Sequence, residues 1–170
     1  MKLLKYINSA FFNERISKIE SIKEAIIALG QDEIRHFISL VIMTDVGVNK
    51  PRELIVSTFV RAKFAELLAR EISLNPSKLF LIGLLSNLDA LLDQEMEEIL
   101  KNLPLAEDIA NTLITEKGDS GNCLKFVKAY ERGRWKDADI YQQKLKLDKK
   151  IHNLALLYIK SCEFASNIIQ

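Results

Sequence analysis

Histidine and cysteine are scarce in this chain of 170 residues: there are two of each, His36, His152, Cys123 and Cys162. A four-ligand zinc site would need all four to converge, and no CxxC or HxxxH spacing exists. Two cysteines in a Lys/Glu-rich chain without a secretory leader are expected to remain reduced and mostly buried rather than paired. Long apolar runs are also missing. The longest, Leu79 to Leu85, falls far short of the roughly 20 residues that a membrane span needs. The apolar part of Met1–Asn8 is too short for a secretory core, and no small-residue cleavage site follows it. A cytoplasmic protein is expected. Excess charge is absent as well: 24 Lys and Arg face 23 Asp and Glu, a net charge of +1. No global field draws in nucleic acid or an anionic membrane, and neither is an expected partner.

What is present is ordinary globular material, 48% hydrophobic and 28% charged. The length suits one domain over 1–170 with a core of its own. The apolar period is helical almost everywhere. Ile34, Phe37, Ile38, Val41 and Ile42 fall on one helix face, as do Val56, Phe59, Val60, Phe64, Leu67 and Leu68. No run of strict alternation argues for a strand. Helices are predicted over 2–7, 21–29, 31–45, 52–73, 76–93, 95–102, 105–115, 121–131, 135–146 and 148–169, an all-α, compact multi-helix bundle. Asn75-Pro76 is a helix start, the Asn capping free N–H groups and the Pro preorganised for the first turn. Glu107 and Asp108 place acids in a first turn, where they favour the helix dipole. Lys117–Asn122 is predicted as a loop bracketed by Gly118 and Gly121. The helix over 76–93 is apolar all round from Leu79 to Leu85, so other helices should surround it. Gly83 in its middle costs about 1 kcal/mol relative to Ala, which a close approach of another helix would offset.

Three segments point to a family. The first comprises Lys5-Tyr6-Ile7-Asn8-Ser9-Ala10-Phe11-Phe12, Ile19–Ile26 and Leu29-Gly30. The second is Phe80-Leu81-Ile82-Gly83-Leu84-Leu85-Ser86-Asn87-Leu88-Asp89. The third is Ala129-Tyr130-Glu131-Arg132-Gly133-Arg134-Trp135. The first two resemble the HDOD domain, a regulatory relative of HD-domain phosphohydrolases. The third resembles the subgroup in which this domain follows an EAL domain in bacterial cyclic di-GMP signalling proteins. The resemblance implies an HD-like all-α bundle. Such domains begin some helices before the Asn-Ser-Ala block, so the resemblance implies either a fragment of a longer chain, lacking its first helices, or a natural chain that is short. In catalytic HD domains a Gly-Leu-Leu-His-Asp pattern supplies adjacent metal ligands. Here Gly83-Leu84-Leu85 is followed by Ser86 and Asn87, whose neutral oxygens do not compensate a dication. The chain is therefore expected to have no catalytic activity, metal or cofactor of its own. It would act as a signalling module that contacts a partner domain or protein (an EAL domain being one candidate) or a second copy of itself. The competing classes are a divergent metal-dependent HD-type phosphohydrolase using Asp89 and acids elsewhere, and a helical nucleotide-binding receiver.

Asp89, three residues after Ser86, is expected to share its helix face as a helix-end acid. Glu95, Glu97 and Glu98 are expected to form a solvated helix start. His36 and His152 are expected at the surface or its boundary. No nucleophile elbow or phosphate-binding glycine loop is present. Lys144, Lys146, Lys149 and Lys150 form the one basic cluster, expected to be an outer polar face. Trp135 is expected to anchor the following helix in the core. With Arg132 and Arg134 beside it, an interface role is the sharper alternative. Arg132, Arg134, Trp135, Lys144 and Lys146 make up the candidate interaction surface.

Overall fold

A long helix, α1 (Arg52–Glu71), passes through the middle of the structure. Ile55, Phe59, Val60, Ala62, Phe64, Ala65, Leu68 and Ala69 are all buried, so α1 is covered on more than one side. The computed structural model describes residues 50–101, 105–147 and 154–169. The predicted helices over 2–7, 21–29 and 31–45 lie outside them, with the Asn-Ser-Ala block, His36, Lys149, Lys150 and His152. Within the described residues the architecture is all-α, as predicted.

After α1 come α2 (Pro76–Leu85), α3 (Leu88–Leu92), α4 (Met96–Leu100) and α5 (Glu107–Thr115). They are followed by α6 (Gly118–Glu131), α7 (Trp135–Lys144) and α8 (Leu154–Ile169). The start of α2 follows the sequence: Asn75 Oδ1 accepts the Lys78 N–H at 3.1 Å, and Pro76 opens the first turn. Glu107 and Asp108 stand in the first turn of α5. Lys78 on α2 donates to Asp108 at 2.6 Å, and this bond holds the Asp108 carboxyl below its usual range.

Two boundaries differ from prediction. The expected continuous helix over 76–93 breaks at Ser86 and Asn87. The Ser86 hydroxyl donates to the Gly83 carbonyl at 2.7 Å, and its N–H turns to the same oxygen at 3.3 Å, tightening the last turn of α2. The expected loop over 117–122 is mostly helix. Glu116 reverses the chain with a φ of 48°, and α6 starts at Gly118. Gly121 then lies so close to the preceding turn that a Cβ would sit 2.2 Å from the Glu116 carbonyl carbon.

Helix α2 is sandwiched as its composition requires, with every residue from Leu79 to Leu85 buried. Its inner side meets α1, and α5 and α6 flank it. Helix α8 packs along another side of α1. Phe64 of α1 is the aromatic hub. Its ring lies 5.2 Å from Tyr130, 5.4 Å from Tyr158 and 6.3 Å from Phe126, joining α1, α6 and α8. Among the described residues, no helix is long and apolar enough to cross a membrane.

Gly83 marks the tightest contact between α1 and α2. A Cβ there would fall 2.8 Å from Ala62 Cα and 2.9 Å from the Arg61 carbonyl oxygen, both backbone atoms. Gly83→Ala should therefore reverse the usual sign of a Gly-to-Ala change in a helix. Intrinsic propensity favours Ala by about 1 kcal/mol, but forcing the helices apart costs about 1–3 kcal/mol. A lower urea midpoint for Gly83→Ala is expected, and a raised midpoint would show that the helices have room.

Candidate functional site

Where α2 ends, Ser86 and Asn87 meet Arg61 inside the protein. Ser86 and Asn87 are 6% and 8% exposed, and Arg61 of α1 is 4% exposed. Buried polar groups of this kind are tolerated when their hydrogen bonds are made inside the protein. Arg61 Nη1 donates to Ser86 Oγ at 3.0 Å and also to Asn87 Oδ1. Arg61 Nε donates to Glu131 Oε2 at 2.9 Å. The Asn87 amide nitrogen donates to Thr58 Oγ1 at 3.1 Å, and the Thr58 hydroxyl donates to the Leu54 carbonyl at 2.8 Å. One network thus ties α1 to the α2–α3 junction and to the last residue of α6.

Its charge balance is local. The Arg61 and Glu131 side chains are 5% and 9% exposed and form a buried ion pair. Burial pushes the Glu131 carboxyl above its ordinary range, against the pull of Arg61 and the weaker pulls of Arg132 and Lys128. Glu131 Oε1 is buried and has no hydrogen-bond partner among the described residues. Burial, with Glu131 nearby, also raises the Cys162 thiol and the Tyr158 hydroxyl. Both cysteines are free; Cys123 is buried and Cys162 half-buried. Burial pushes the Cys123 thiol up to about 12, which leaves it a poor nucleophile.

The donors do not fit a divalent cation. Ser86 and Asn87 offer neutral oxygens, Glu131 offers one carboxylate, and all three accept from the guanidinium. Among the described residues, no group of three or more His, Cys, Asp or Glu stands together to hold a metal ion. Asp89 does not join the network. The break in the helix puts it on α3, where it is exposed, so the expectation that it shares a face of one helix with Ser86 does not hold. Glu95, Glu97 and Glu98 are exposed around the start of α4, as expected. Sequence reasoning missed Arg61, Glu131 and Thr58. Arg61 did leave a signal: it stands inside the apolar run Phe59-Val60-Arg61-Ala62, where a charge needs a buried partner.

The residues of the candidate interaction surface lie on the outside of the α6–α7 hairpin. Trp135 is 59% exposed, and its ring meets Tyr130 edge to face at 5.3 Å. The expectation that it is a core anchor is therefore wrong. It opens α7 directly after the turn, so the ring projects over the surface while Ala138 makes the buried contact. Arg132 and Arg134 are exposed beside it, with Arg134 Nε 3.7 Å from Asp137. Lys144 and Lys146 are exposed at the far end of α7, about 15 Å away for a helix of this length. The five residues make two spots along one helix rather than one cluster. A separate open groove of about 620 Å³ runs along α8, lined by Tyr158, Ile159, Cys162, Glu163, Ser166 and Asn167.

The ion pair sets a pH-dependent prediction. Arg61→Leu leaves Glu131 buried without its counter-charge and should cost about 3–5 kcal/mol at pH 7.5. A raised folded pKa gives stability that is full below the unfolded carboxyl value and is lost as pH rises through the folded value. Removing Arg61 raises that value further. The deficit of the variant should therefore shrink as the pH falls and Glu131 takes up a proton. Urea midpoints of both chains from pH 4.5 to 8 measure it, and a deficit independent of pH would contradict the assignment.

Comparison with known proteins supplies the context. The chain is 35% identical over 150 residues to the cyclic di-GMP phosphodiesterase CdgJ of Vibrio cholerae, covering 86% of this chain and 34% of that protein. It is 38% identical over 139 residues to the uncharacterized protein YuxH of Bacillus subtilis, covering 79% of this chain and 34% of that one. The chain thus spans about a third of the length of the curated relatives it matches. No solved structure matches it. The name of the Vibrio relative overturns the expectation, drawn from Ser86 and Asn87, that the chain is no enzyme. Those two side chains report on the ligand chemistry of two positions, which is too narrow a basis for excluding activity. The HDOD domain model matches residues 1–116, and the chain belongs to the HDOD domain family.

Proposed function

We propose that this chain is a signal-transducing part of a cyclic di-GMP phosphodiesterase, working in the cytoplasm through protein–protein contacts. Membership of the HDOD family and the name of the Vibrio relative support the signalling context. The observation that carries the contact role is Trp135, 59% exposed on a helical hairpin and flanked by exposed Arg132 and Arg134. Trp and Arg are the residue types that most often dominate binding energy at interfaces. Arg132, Arg134, Lys136, Lys144 and Lys146 outnumber Asp137 and Asp139 on this stretch, so the partner surface is acidic with an apolar centre. The partner is another domain of the same protein, an EAL domain in the architecture that residues 129–135 resemble, or a second copy.

The test uses the natural protein that contains this chain. Trp135→Ala with Arg134→Glu should leave the melting temperature within about 2 °C, as is usual for exposed positions. It should weaken the contact by about 2 kcal/mol or more, roughly 30-fold in affinity. Cyclic di-GMP hydrolysis should change at least several-fold in the variant. Unchanged hydrolysis together with unchanged association would remove the proposal.

A further inference from the structure

The network at the α2–α3 junction contains its own positive charge. We propose that Arg61 is the resident cation of this site. Its guanidinium stands where the degenerate His-Asp positions would otherwise require a metal ion. Three observations carry this. The guanidinium donates to Ser86 and Asn87 through Nη1 and to a carboxylate, Glu131, through Nε, so one cation gathers all three oxygen acceptors. The group is 4% exposed and cannot lose its proton, so its charge is permanent. It is delivered by the backbone contact at Gly83, where α1 and α2 approach too closely for a Cβ.

The charge count agrees. Glu131 is the one carboxylate in the network, and Arg61 balances it. A dication would have to displace a tethered guanidinium and would find a single acid. The next acid along the chain, Asp89, is exposed on α3. Neutral amide and hydroxyl oxygens suit a guanidinium fork, which needs acceptors in a plane. They suit a divalent ion less, because it needs several charged oxygens. Ser86 and Asn87 thus supply neutral acceptors, and Arg61 supplies the cation that they face.

The experiment is chemical rescue. Arg61→Ala keeps the three acceptors and removes the cation. Methylguanidinium at 10 mM, far below denaturing concentrations, should raise the melting temperature of this variant by roughly 3 °C or more. It should not raise that of the unchanged chain, with sodium chloride of equal ionic strength as the control. The rescue should vanish in Arg61→Ala combined with Glu131→Gln. Manganese alone should give no stoichiometric heat with the unchanged chain. Failure of methylguanidinium to rescue a folded Arg61→Ala chain would overturn the proposal. So would one-to-one manganese binding by the unchanged chain that Ser86→Ala with Asn87→Ala abolishes. If Arg61→Ala does not fold, Ser86→His with Asn87→Asp, in a chain that keeps Arg61, takes its place. Manganese should leave its melting temperature unchanged, and a manganese-dependent rise would overturn the proposal.

Discussion

The contact between α1 and α2 at Gly83 is the constraint on which the rest depends. Helix backbones rarely meet without side chains between them. Here the missing Cβ lets α2 rest on the Arg61 and Ala62 main chain. That closeness brings the Arg61 side chain within hydrogen-bond reach of the residues just past the end of α2. It also seals the apolar sequence Leu79–Leu85 inside, since an all-apolar helix is stable only when surrounded. Packing and the polar network are two results of one approach.

The buried polar centre works by mutual satisfaction rather than by strong net attraction. Taking a guanidinium and a carboxylate out of water is expensive, and their pairing offsets that cost only when the remaining hydrogen bonds are made. Ser86 and Asn87 accept from Arg61, and Thr58 in turn accepts from the Asn87 amide. Glu131 Oε1 is buried without a partner among the described residues. Its cost shows in the raised Glu131 carboxyl. The centre therefore favours specificity of arrangement: α1, the α2–α3 junction and the end of α6 fit together in the register that meets these bonds. Glu131 is also the last residue of α6, and the exposed turn with Arg132, Arg134 and Trp135 follows at once. The interior network and the exposed turn are joined through that one helix end.

The sequence made much of the fold legible. Helical spacing of Phe59, Val60, Phe64 and Leu68 marked α1, the Asn75-Pro76 pair marked the start of α2, and Gly83 in an apolar helix signalled a close approach. The errors came where a side chain competes with the backbone. Ser86 turns its hydroxyl back onto α2, and Asn87 spends its amide on Thr58 and Arg61, so the helix predicted across them stops. Trp135, expected in the core, is exposed because it stands at the first residue of α7, directly after the turn. Pattern reports which residues prefer the interior, but the direction of a chain reversal decides which of them reach it.

By itself, the sequence determined the all-helical class, the scarcity of soft metal ligands and the neutral Ser86-Asn87 pair that follows the apolar run Leu79–Leu85. These follow from local properties: periodicity, residue counts and the chemistry of adjacent side chains. Only the tertiary structure decided what those two residues do. Arg61 lies 25 residues before Ser86, and Glu131 lies 70 residues after Arg61. No spacing rule links such positions. Their meeting is set by helix packing, which brings together side chains far apart in sequence and excludes the water that would otherwise solvate them.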